Sequence, residues 1–237
     1  MTEATETDPG REDCVKRYVD VAPTWHGLVV LSSVVLFAGL SAYSGTRFRV
    51  PHSRLMTYVV TIVFQWSLVS FLLFGIRFRG LRLRDLIGGG WSQWPTPLND
   101  LGIALAFQIG ANLILARIVP VMLATPRTFM RSSAPHGKLE VAGYLLLSVT
   151  AGFCEELIFR GYLQKQFTAW TQSATSGLLL QAVVFGAGHG YQGLRWMAVI
   201  GVYGCLIGIL ALWRGSLRPG MIAHFLQDAI TGLVWMR

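Results

Sequence analysis

Charge is the first thing this chain has little of. Asp, Glu, Lys and Arg make up 14% of its 237 residues, where a soluble domain carries about 25%. That shortage excludes an ordinary water-soluble globule. Acidic residues are scarcer still, 12 against 20 basic ones, for a net charge of +8. The basic residues are scattered over short loops and form no long run, which argues against nucleic acid as a partner. Cysteine is limited to Cys14, Cys154 and Cys205, with no CxxC pair, so neither a disulfide framework nor a zinc knuckle is indicated. Cys154, beside Glu155, reads better as a small buried thiol than as a nucleophile. The sequence contains no HExxH, no serine in a GxSxG setting and no internal repeat. The usual zincin spacing and the serine-hydrolase elbow are therefore absent.

What is abundant is apolar sequence, 53% of the chain. A helix needs roughly 20 apolar residues to span a bilayer. Seven runs approach that length, at about 25–44, 56–76, 101–123, 141–163, 174–190, 196–213 and 219–236. The pattern predicts an all-α, polytopic membrane helix bundle of about seven transmembrane helices, with eight as the alternative. The polar stretch 1–24 is predicted to be a disordered tail, and 25–237 a single membrane-embedded domain. Trp91, Trp94, Trp196, Trp213 and Trp235 fall near span ends, where amphipathic rings sit at interfaces. Gly204 and Gly208 form a GxxxG, a weak signal for close helix packing. Loop charge, with "RFRGLRLRD" at 77–85 as its densest block, favours a cytoplasmic N-terminus.

Against this background, "AGFCEELIFRGYLQ" at 151–164 needs an explanation. Ionisable residues inside spans are rare and by default suggest function. They concentrate here in three places: Glu155, Glu156 and Arg160 in the fourth span, His189 at the end of the fifth, and His224 with Asp228 in the seventh. Glu156 and Arg160 are i,i+4 and can pair on one face, as can His224 and Asp228. Glu155 is turned about 100° away from Glu156, so it can address a different neighbour. Counting 1.5 Å per residue from the turns puts all six within about two helical turns of depth. Each group alone has a bland reading: an ion pair, a packed histidine, a helix-surface hydrogen bond. All three together in an apolar bundle point to a site between the fourth, fifth and seventh spans.

The set suits hydrolysis of a carbonyl compound. A glutamate in a water-poor cavity can serve as general base and acid, a histidine beside it can hold a water, and a second histidine with an aspartate can stabilise an oxyanion. Glu155, His189 and His224 are also candidate Zn²⁺ ligands by residue type.

"EELIFR" at 155–160 fits EExxxR, "FGAGH" at 185–189 fits FxxxH, and "HFLQD" at 224–228 fits HxxxN/D. In that order on three apolar helices, they resemble the CAAX prenyl endopeptidase and bacteriocin-processing (CPBP, Abi) family of intramembrane proteases, over about 141–230. The resemblance implies an endopeptidase acting on a membrane-anchored protein or peptide in the bilayer, placed here in a bacterial plasma membrane. It implies that Glu155 and His189 activate water, that Glu156 and Arg160 are a supporting pair, and that His224 and Asp228 stabilise the oxyanion. The family has been described both as metalloproteases and as metal-independent glutamate proteases. One position departs from it: Asp228 stands where prenyl endopeptidases typically have Asn. The alternatives are a proton-coupled transporter, which also uses buried Glu, His and Asp, and a non-catalytic immunity or scaffold protein. Neither inverted repeats nor broken helices, the usual signs of a transporter, are visible in the sequence.

Overall fold

The computed structural model describes residues 18–47, 53–89, 96–122 and 134–234. Cys14, Trp91, Trp94, Trp235 and the first seventeen residues of the expected tail lie outside them. Helix α1 runs Thr24–Arg47, α2 Arg54–Arg77, α3 Leu83–Ile87, α4 Thr96–Met122, α5 Lys138–Thr171, α6 Ala174–Gly188, α7 Leu194–Arg214 and α8 Arg218–Val234. The all-α bundle expected from the apolar runs is therefore what forms. Seven of these helices coincide with the seven runs, and α3 is an additional five-residue helix in the basic loop.

Local chemistry explains the boundaries. Ser53 Oγ accepts from the Met56 amide and starts α2. Beyond its end, Gly80 takes φ +69°, the left-handed cap that glycine adopts freely. Asp85 accepts from the Arg82 amide at 2.7 Å and fixes the first turn of α3. Ser173 caps α6 through the Ser176 amide, and Pro219 occupies the first turn of α8, where its missing N–H costs nothing.

Among the described residues four helices are long and apolar enough to cross a membrane: α2, α4 over Thr96–Val119, α5 and α7. Thr24–Leu40 and α6 are shorter apolar helices. At 15 and 17 residues, α6 and α8 reach roughly 22 and 26 Å, less than the hydrocarbon thickness of about 30 Å. The protein is an integral membrane protein on this construction. Its surface carries Leu36, Ile109, Val183 and Trp213, all more than half exposed, as lipid-facing positions require. Its interior holds the polar residues instead: His26, Gln65, Gln108, Glu156, Arg160, Gln164, Gln166, Gln181 and His224 are all buried.

The main apolar core joins α1, α2, α5 and α6 through Val30, Leu68, Leu72, Leu157, Tyr162, Leu163 and Phe185. His26 braces it. One ring nitrogen meets Tyr162 Oη at 2.6 Å, the other lies 3.0 Å from the Phe71 carbonyl, and the ring stacks on Phe71. The segment preceding α1 is held down rather than loose, which revises the expected 1–24 tail over residues 18–23. Gln166 accepts from the Val21 and Ala22 amides and donates to the Ala22 carbonyl. Gln172 does the same for both backbone groups of Tyr18.

Candidate active site

The site is built on the middle of α5. Helix α5 changes there from α to π geometry over Leu157–Leu163, directly after Glu155 and Glu156. A π-turn is rare and recurs at functional sites, since it rotates side chains that an α-helix would space evenly. Glycine lets the neighbours approach. A Cβ on Gly152 would lie 2.8 Å from the Met221 carbonyl oxygen and 2.9 Å from the Phe225 amide nitrogen, so α5 and α8 meet backbone to backbone. Gly204, the first residue of the GxxxG, makes room on α7 for the Phe185 ring and the Arg160 guanidinium.

Glu156 is the hub. It is fully buried, and Oε1 accepts both from Arg160 Nη1 and from His224 Nδ1, each at 2.8 Å. Arg160 is satisfied further by the Gly204 carbonyl at 3.1 Å and lies over the Phe185 ring at 4.3 Å, a cation–π contact that a desolvated guanidinium favours. Gln181 donates to the same Gly204 carbonyl. Because Nδ1 of His224 donates to a carboxylate, its Nε2 is the atom presented to the rest of the site. It lies 3.8 Å from Glu155 Oε2 and 3.8 Å from Asp228 Oδ2. Neither is a hydrogen-bond distance, so Nε2 has no hydrogen-bond partner among the described residues.

Glu155 is oriented from a helix that spacing arguments do not reach. Gln65 on α2 donates to its Oε1 at 2.7 Å. Its Oε2 is buried and accepts no hydrogen bond from the described residues. His189 closes α6. Its Nδ1 lies 2.9 Å from the Phe185 carbonyl. A carbonyl only accepts, so Nδ1 carries the proton and a neutral ring leaves Nε2 as an acceptor. The His189 and His224 rings both flank Phe185, with centroids at 5.0 and 5.8 Å from it. Asp228 has a side chain 36% exposed, whereas Glu156 is closed off.

The structure thus places Glu155, Glu156, Arg160, His224 and Asp228 in one contiguous cluster, with His189 joined through Phe185. The i,i+4 reasoning reaches Arg160 and Glu156 but misassigns the carboxylate that holds His224. Glu156, 68 residues away, makes that hydrogen bond, and Asp228 stands off at 3.8 Å. Gln65 and Gly220 escape the sequence reading. A lone amide in an apolar run was the available signal for the first. For Gly220, whose absent side chain leaves space beside Glu156 Oε2, there was none. The candidate zinc ligands do not fit together: among the described residues no three His, Cys, Asp or Glu side chains form a group able to hold a metal ion.

Fold and site together define an integral membrane helical protein organised around a buried carboxylate–histidine–arginine cluster. Residues 137–230 match the family model of type II CAAX prenyl endopeptidase Rce1-like proteins. The uncharacterised protein YpbD of Bacillus subtilis (strain 168) is 31% identical over 106 residues, 44% of this chain and 48% of the relative. The match therefore spans about half of that protein's length. No solved structure matches significantly.

Proposed function

We propose that the protein is an intramembrane endopeptidase that hydrolyses a peptide bond of a membrane-associated protein or peptide. The observation that carries this reading is the suspension of His224 between two glutamates. Glu156, backed by Arg160, holds Nδ1, and Nε2 faces the unpartnered Oε2 of Glu155. An ion pair built only for stability does not need a second, unsatisfied carboxylate oxygen beside it.

The chemistry follows from these roles. A water between Glu155 and His189 gives one proton to Glu155 Oε2 while its oxygen bonds to the scissile carbonyl carbon. His189 Nε2 accepts the hydrogen bond of the other proton. The carbonyl π pair moves onto oxygen, and the oxyanion accepts from the Nε2–H of a protonated His224, whose positive charge Glu156 and Asp228 balance. Fixed donors in a water-poor site stabilise such charge strongly, by about 10²–10³ in rate per donor. Collapse breaks the C–N bond, and Glu155 returns its proton to the departing amine. Because the candidate ligands do not group, no step is assigned to a metal.

The substrate class we infer is a peptide anchored in the bilayer. The family's description supplies the prenylated C-terminus as one such class. The basic loop at 77–85 supports placement of the N-terminus on the cytoplasmic side. The test is cleavage of a quenched peptide library, prenylated and unprenylated, by purified protein in detergent. A zinc assay and chelator treatment belong beside it: stoichiometric zinc with chelator inactivation reversed by zinc would move Glu155 from base to ligand.

A further inference from the structure

We propose that Gln65, on α2 and outside the stretch matched by the family model, is a positioning residue for the attacking water and for Glu155. This deepens the peptidase reading above and rests on it. Four observations carry it. Gln65 is buried, 6% exposed, on the inward side of α2 together with Leu68, Val69 and Leu72. Its Nε2 donates at 2.7 Å to Oε1 of the one glutamate in the cluster that has no arginine. Its own Oε1 is buried and accepts no hydrogen bond from the described residues. Oε2 of Glu155 is in the same condition.

A side-chain amide offers donors on one side and an acceptor on the other. Donation fixes the plane of the Glu155 carboxylate and leaves Oε2 as the oxygen facing the site. Two unsatisfied acceptors, Gln65 Oε1 and Glu155 Oε2, then remain in one contact pair. Buried polar atoms of this kind are rarely left bare, and what satisfies two acceptors at once is a molecule with two O–H donors. A water held by both presents its lone pairs away from them. In the reaction its proton toward Glu155 Oε2 is transferred as the new C–O bond forms. Its second proton stays on oxygen, directed to Gln65 Oε1 in the resting site and to His189 Nε2 as the water attacks, and is retained in the carboxylic product. Gln65 gains and loses no proton.

The variant that tests this is Gln65→Met, unbranched and of similar length, with neither an amide donor nor an oxygen acceptor. The expected result is a fall in kcat of about 10²-fold, the scale of a misplaced reacting group, with KM within about twofold and thermal unfolding of the detergent-solubilised protein unchanged. A role confined to packing would lower stability and folded fraction without that split. An activity-independent readout accompanies it. The infrared carboxylate band that disappears in Glu155→Gln should shift in Gln65→Met, because its hydrogen-bond donor is gone. Wild-type kcat in Gln65→Met, a loss accounted for by lost folded protein, or an unshifted Glu155 band would each overturn the proposal. Should the wild-type protein cleave nothing, the peptidase reading fails by itself, and the band alone decides whether Gln65 holds Glu155.

Discussion

Glu156 serves two partners with one oxygen, and that sharing sets the hierarchy of substitutions in the site. Arg160→Ala removes the arginine from a pair whose side chains are both 0% exposed. A buried carboxylate left without its partner typically costs about 3–5 kcal/mol, so a large drop in thermal stability is expected along with lost activity. Normal melting with no activity would instead give Arg160 a chemical role. Glu156→Gln weakens both the arginine pair and the support of His224. Asp228→Asn removes a carboxylate 3.8 Å from the ring and partly open to solvent. The steady-state rate should therefore fall much further in Glu156→Gln than in Asp228→Asn. Equal losses would restore Asp228 as the group that orients His224. The sequence exposes this level only in part. The spacing of Glu156 and Arg160 announces their pairing, because four residues make one helical turn. Nothing in spacing announces that His224 turns to Glu156 rather than to its own i+4 neighbour, since that choice depends on how closely α5 and α8 approach.

The approach of those helices depends on glycine. At Gly152 a side chain would meet backbone atoms of Met221 and Phe225, which cannot move aside as a flexible side chain can. Gly152→Val should force α5 and α8 apart, with an overpacking cost of about 1–3 kcal/mol or more, and should separate Glu155 and Glu156 from His224. Lowered Tm with abolished cleavage is the expected pair of results. Gly102→Ala on α4 is the matching control: nothing lies within 4 Å of a Cβ there, so Tm should hold or rise slightly. A Gly152→Val protein with unchanged melting would contradict the close α5–α8 contact. At this scale the apolar runs and their polar breaks make the long helices legible, because bilayer thickness dictates their length. The five-residue α3 has too few residues for a periodic pattern. The π-turn at Leu157–Leu163 also leaves no mark, since the same residues would read as ordinary α-helix. Its effect on Glu155 and Arg160 becomes visible only once the neighbouring helices are in place.

The molecule as a whole inverts the usual arrangement in part: apolar side chains such as Leu36, Ile109 and Val183 face outward, while amides, glutamates, histidines and arginine sit inside beside the apolar core. Composition alone foretells that inversion, because 14% charge in 237 residues must be hidden from lipid or placed in loops. A transporter needs a polar route through the bundle, and a scaffold needs no unsatisfied polar atoms. A protease needs one activated water and one open donor, the roles proposed above for Glu155 Oε2 and His224 Nε2. The most direct test compares wild-type protein with Glu155→Gln in the same detergent, each confirmed as folded by its melting curve, against the quenched peptide library. Cleavage by the wild type that falls to background in Glu155→Gln is the expected result. Equal cleavage by a folded Glu155→Gln protein would contradict the account at its centre.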